Sequence, residues 1–187
     1  MNPIFTLPYA EFCVAQQLSG FLPHSKGYSV FAPVSREETG VDLLITRRGR
    51  HKSLSATIQV KSSRTYQQKA QNSKRRFSYR TWFNNFDCPA QADFFCLVAL
   101  YPSLDLREYR ERRSWWHPVI LLFSQQEMRR FLRSVKTVGG TPDKMFGFGF
   151  DAPTQVFQTR GDRRRRFLEF STYLLPRRVR RLKEFLR

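Results

Sequence analysis

Two stretches decide how this chain folds: Gly40-Val41-Asp42-Leu43-Leu44-Ile45-Thr46 and, beyond a polar interval, Ala56-Thr57-Ile58-Gln59-Val60-Lys61. Each is a short run rich in Val, Ile and Leu, side chains that suit a pleated, buried surface. The residues between them are mostly polar, carry Gly49 and include Arg47, Arg48, Arg50 and Lys52, so the pair reads as a β-hairpin with a basic tip. Side chains alternate along a strand, which sends Ile58 and Val60 to the core and Gln59 and Lys61 to the other face. Asp42 opens the first strand, near the end of the second where Gln59 and Lys61 stand. A carboxylate, an amide oxygen and an ammonium group then converge. Hard divalent cations take oxygen ligands and leave much of their shell to water and phosphate. A lysine beside such an ion suits the holding of an attacking water or the neutralisation of charge at phosphorus.

Outward from the hairpin, Tyr9 to Leu18 has helical spacing, with Phe12, Cys13, Ala15 and Leu18 near one face, Gly20 placed to stop it and Pro23 following. Tyr28 to Val34 alternates as a strand. Ser62 to Arg80 is polar and basic with weak periodicity and is predicted as a short helix or a surface loop. Phe94 to Tyr101 and Pro118 to Phe123 are continuously apolar, the mark of strands buried on both faces. Ser124 followed by Glu127 predicts a capping box, with Met128, Phe131 and Leu132 on the inner face of the helix it opens. Gly139 to Phe150 reads as a Gly-rich connector. Pro176 starts a last helix with Val179, Leu182 and Leu186 in one stripe and Arg177, Arg178, Arg180 and Arg181 around the rest.

The chain of 187 residues carries 33 Lys+Arg against 15 Asp+Glu, a net charge of +18. Arginines number 25 and lysines 8, and the planar guanidinium fork matches phosphate, so the balance points to nucleic acid rather than to a small acidic substrate. With 41% hydrophobic residues and 18 Phe, the chain is too apolar to be a disordered polyelectrolyte. No apolar run reaches the roughly 18 residues of a membrane span, and Met1 to Gly20 has no secretory pattern, so a cytoplasmic, nucleoid-associated protein without membrane contact is expected. Cys13, Cys88 and Cys96 have no CxxC spacing and read as reduced thiols; His24, His51 and His117 are scattered.

The Gly40–Ile45 and Ile58–Ser63 stretches together resemble the PD-(D/E)XK nuclease superfamily, in the QxK form of Mrr-like restriction endonucleases and Holliday-junction-resolvase-like proteins. Glu11, in Tyr9-Ala10-Glu11-Phe12, matches the acid that the family's first helix offers to the metal. The resemblance covers about residues 8–134 of a single domain spanning 1–187, with a basic C-terminal segment at about 154–187. It implies an α/β fold: a restriction-endonuclease-like three-layer αβα core with a mixed four- to five-stranded sheet, plus a basic C-terminal helical segment. It also implies a magnesium-dependent DNA endonuclease (a hydrolase acting on phosphodiester bonds). Asp42, Gln59, Lys61 and Glu11 are then catalytic, and Asp42, Gln59, the Val60 carbonyl and Glu11 hold the metal. The family's usual Pro before the Asp is Val41 here. Gln59 replaces an acid, which removes one negative charge, so weaker metal affinity and a role for Mn2+ are expected.

Arg64, Lys69, Lys74, Arg75, Arg76 and Arg80 follow the motif strand and are expected to grip the backbone beside the cut phosphate, with Arg163, Arg164, Arg165 and Arg166 a second phosphate contact. DNA is the favoured partner over RNA, recognised through its backbone or shape, and paired cuts on opposite strands suit a two-fold homodimer. Glu11 reads equally as an ordinary acid near a helix N-terminus. Trp82 and Trp115-Trp116 read as packing residues before stacking platforms. Two other functions stay open: a non-catalytic nucleic-acid-binding protein on a degenerate nuclease scaffold, and a basic RNA- or ribosome-associated protein.

Overall fold

A computed structural model describes residues 3–33, 40–67, 77–102, 116–164 and 166–187. The chain is mixed α/β, with eight strands and three helices among these residues. Helix α1 (Pro3–Phe21) is followed by β1 (Tyr28–Phe31), β2 (Leu43–Arg48) and β3 (Ser53–Gln67). Next come β4 (Tyr79–Asn84), β5 (Phe94–Pro102), β6 (Trp116–Ser124) and α2 (Gln125–Ser134). Strands β7 (Met145–Phe150) and β8 (Phe157–Arg160) precede the last helix, α3 (Leu175–Phe185).

The 15-residue β3 belongs to two sheets at once. Its first part lies in a five-stranded mixed sheet ordered β1-β2-β3-β5-β6, in which only the β3–β5 pair is parallel. Its last part turns into an antiparallel branch, β3-β4-β7-β8. A parallel neighbour requires a long crossover, most often helical. Here the crossover between β3 and β5 carries β4, so the Ser62–Arg80 region, expected as helix or loop, contributes strand at both ends (residues 68–76 lie outside the described ones).

Alternation divides the apolar side chains into two cores. Ile58, Val60, Phe94, Cys96, Val98, Ile120 and Leu122 pack beneath α1 and α3, against Ala10, Val14, Leu18, Leu175, Val179, Leu182 and Leu186. Phe95, Leu97, Ala99, Val119, Leu121 and Phe123 point the other way, onto α2 and the β4–β7 branch. The expected αβα sandwich is therefore wholly helical on one side only, and on the other α2 shares the cover with strands. Its second covering layer is largely sheet: Phe131 of α2 meets Phe146 of β7 and Phe123 of β6, and Tyr79 of β4 meets Tyr101 of β5. Nor do residues 8–134 hold the whole core: β7 and α3 are integral to it. The apolar stripe on α3 explains why, since each fully buried Leu contributes about 1.5–3 kcal/mol.

The Gly139–Phe150 connector is the clearest correction. Met145-Phe146-Gly147-Phe148-Gly149-Phe150 is a strand whose three Phe are buried within the second core. Its glycines face outward, where added side chains would collide: a Cβ on Gly149 would lie 2.6 Å from the Phe77 ring, and one on Gly147 2.8 Å from the Thr81 carbonyl. The capping box is present as predicted, with Ser124 and Glu127 bonded reciprocally at the start of α2. Glu127 also takes an ion pair from Arg178 of α3, and Arg178 lies over the Tyr173 ring. No helix among the described residues is long and apolar enough to cross a membrane.

Candidate functional site

Strand β2 stops pairing with β3 at Leu43, opposite Ile58. One residue earlier, the Asp42 N–H still donates to the Ile58 carbonyl, at 2.9 Å. The Asp42 carboxylate then replaces the missing backbone acceptor: its Oδ2 takes the Val60 N–H at 2.6 Å. Both polar groups of one strand residue point the same way, so the Val60 carbonyl is also directed past the end of β2. Gly40 lets the chain enter this corner. Its φ of +87° suits glycine, and a Cβ there would sit 2.5 Å from Pro89 and 3.7 Å from Gln59 Nε2.

Gln59 is 5% exposed, and its Oε1 is buried without a hydrogen-bond partner. An orphaned buried acceptor costs about 1–3 kcal/mol, so a missing donor or cation is its natural complement. Register sets Gln59 beside Phe95 and Lys61 beside Leu97 on β5. That register is pinned at its start by Asp93, whose carboxylate accepts the Thr57 N–H at 2.9 Å and the Thr57 hydroxyl at 3.0 Å. Asp42 also lies within electrostatic reach of Cys96: burial pushes that thiol's pKa up, and the carboxylate adds to the shift. Cys13, Cys88 and Cys96 are all free thiols.

Lys61 is partly exposed and forms no ion pair among the described residues. It opens into a cleft of about 410 Å³ lined also by Ser62, Ser63, Trp82, Phe83, Asn84, Asn85, Phe86 and Asp87. Two features hold the rim. The Ser63 hydroxyl donates to the Trp82 carbonyl, and Asn85 adopts a left-handed φ of 48°.

Fold geometry thus brings Asp42, Gln59 and Val60 to one corner, with Lys61 two residues on along the Gln59 face of β3 and lining the neighbouring cleft. Glu11 lies on α1, which packs through Ala10, Cys13 and Val14 over the Ile58/Val60 face, opposite the face of Gln59 and Lys61. Among the described residues there is no group of three or more His, Cys, Asp or Glu that could hold a metal. The oxygen donors at the corner are one carboxylate, one amide and one backbone carbonyl, a hard set that fits magnesium with water completing its shell.

The expected phosphate contacts separate. Arg64 is exposed on β3, and Arg80 stands on β4, partly buried and with its Nε unbonded. Lys69, Lys74, Arg75, Arg76 and Arg165 lie outside the described residues. Arg163 rests against Gly140, Arg164 is exposed, and the Arg166 N–H donates to Asp162 at 2.8 Å; none of the three lines the Lys61 cleft. The sequence reading gave no site role to the hairpin tip. Arg47, Arg50, His51 and Lys52 there join Arg187 around a groove of about 440 Å³, and Arg47 Nη1 donates to the Leu186 carbonyl at 3.0 Å. The basic run was visible in the sequence, but its meeting with the C-terminus was not.

No family model, curated protein or solved structure matches this chain.

Proposed function

We propose that the protein is a divalent-metal-dependent endonuclease that hydrolyses phosphodiester bonds in DNA, built on a restriction-endonuclease-like core of the PD-(D/E)XK type. The observation that carries this reading is the corner where the Asp42 carboxylate takes the Val60 N–H beside the unpartnered Oε1 of Gln59. Its support from topology is the order of the elements: a first helix, Asp42 at the head of one strand, Gln59 and Lys61 on the antiparallel next, and β5 parallel beside it.

Asp42, Gln59 and the Val60 carbonyl would hold magnesium, without Glu11, whose helix covers the opposite face of β3. When bound, such an ion stabilises charge on the phosphoryl oxygens and lowers the pKa of water. Lys61 holds the attacking water and neutralises charge on a non-bridging oxygen. The water oxygen forms the new bond to phosphorus, the bond to the leaving sugar oxygen breaks, the water's proton passes to solvent, and the leaving oxygen is protonated in turn. The +18 charge draws the polyanion to the site, with Arg64 and Arg80 on the strands leading from it.

The test is cleavage of supercoiled, linear and branched DNA with Mg2+ or Mn2+. Wild type should cut, and Asp42→Ala and Lys61→Ala should each lose roughly 100-fold or more. Cutting that survives Asp42→Ala would overturn the assignment. Tight, salt-sensitive binding without cutting in either metal would instead favour a non-catalytic binding protein on the same scaffold. The amide of Gln59 in an acid's place is the observation on that side.

A further inference from the structure

Beyond the corner of Asp42, β3 and β4 present a second surface. Register pairs Tyr66 with Arg80 and Thr65 with Thr81. Thr81 and Phe83 point inward and are buried, so Tyr66, Arg80 and Trp82 share the outward face, and continuing the ladder by one step sets Arg64 there too. Tyr66 and Trp82 stack nearly parallel, with centroids 4.3 Å apart and planes 3° from each other. Both remain open to solvent, at 41% and 38% exposure. The neighbouring position on β7 is Gly147, where a Cβ would lie 3.3 Å from that of Trp82, so the glycine keeps the surface beside the indole flat. The Arg80 side chain forms no hydrogen bond or ion pair among the described residues. Trp82 also lines the cleft that holds Lys61.

Two exposed rings already stacked, flanked by arginines on a chain of +18, form a surface that every nucleobase can extend and whose phosphates the charges attract. Duplex DNA keeps its bases stacked on each other and offers such a ring nothing but its edge. We infer that the outward face of β3–β4 is a stacking platform for an unpaired base, so the strand that reaches the Lys61 cleft is single-stranded, frayed or extruded. This deepens the nuclease reading by naming its substrate class, although the platform itself rests on the geometry of Tyr66 and Trp82.

The experiment measures anisotropy of labelled oligothymidylate, oligouridylate, an abasic strand and a duplex of equal length, across a salt series. One stacked base is worth about 1–3 kcal/mol, so Trp82→Ala should weaken oligothymidylate binding roughly 5- to 150-fold. It should leave duplex and abasic binding unchanged, with the same salt slope, since no charge is removed. Trp82→Phe should recover most of the loss. Should Trp82→Ala melt below the assay temperature, Tyr66→Ala reads the same stack. The uridylate arm tells whether the strand carries ribose or deoxyribose. Equal weakening of duplex and single strand, or no weakening of either, overturns the platform. Strand binding through Trp82 by a protein that cuts nothing removes the nuclease reading and keeps the platform; cutting with strand binding indifferent to Trp82→Ala removes the platform alone.

Discussion

Leu182 offers the sharpest test of where the C-terminal basic helix belongs. Taken as an appendage, α3 would lose little by truncating one leucine. In the structure Leu182 is fully buried, as are Leu175 and Leu186, among residues of α1 and the central sheet. Leu182→Ala removes three carbon atoms, a transfer cost of about 2.4 kcal/mol at about 0.8 kcal/mol per methylene. The cavity left in a packed core raises this to about 3–4 kcal/mol. For a chain of this size, about 2–4 °C is lost per kcal/mol, so Tm should fall by about 6–16 °C. Urea denaturation should show the same loss as a lower midpoint with an unchanged slope. Arg181→Ala, on the exposed side of the same helix, should stay within about 0.5 kcal/mol of wild type. A Leu182→Ala protein within about 1 kcal/mol of wild type, on the other hand, would refute the packing argument and detach α3 from the core.

The Asp42 carboxylate has a structural duty that can be separated from chemistry. Asp42→Ala orphans the Val60 N–H and should cost about 1–3 kcal/mol in urea denaturation, whereas Asp42→Asn, which keeps an acceptor oxygen, should cost less while still abolishing cleavage. Equal destabilisation by both would dissociate that hydrogen bond from stability. Glu127 gives a pH-dependent expectation. Burial would raise its pKa, but the hydrogen bond and charge of Arg178, together with the Ser124 bonds, outweigh burial and hold it below the usual carboxylate range. A carboxyl depressed in the folded state stabilises above its unfolded pKa and loses that contribution as pH falls through the folded value. Arg178→Met should therefore cost about 1–3 kcal/mol near pH 7, a partial form of breaking a buried pair, and progressively less below about pH 4. A penalty in thermal melts that is flat from pH 7 to 3 would place the role of Arg178 in packing on Tyr173 instead.

What the sequence determined by itself was local. Period-two alternation placed Gln59 and Lys61 on one face of β3, and the short hairpin set Asp42 at the head of β2 beside Val60, because neighbours on a strand or across a short hairpin follow from pleat and register alone. Continuous apolar runs announced β5 and β6, and the Ser124/Glu127 spacing announced the start of α2. Tertiary structure decided what depends on distant partners. Phe146-Gly147-Phe148-Gly149-Phe150 is a strand because its glycines lie against Thr81, Trp82 and Phe77, contacts that no window along the chain contains. Helix α3 is core because its leucines meet α1, more than 150 positions away in sequence. Trp82, read from sequence as a packing residue, is exposed and stacked on Tyr66 only because β3 runs on beyond Lys61 to pair with β4. Such pairings join residues far apart along the chain, so their chemistry exists only once the loops between them have closed.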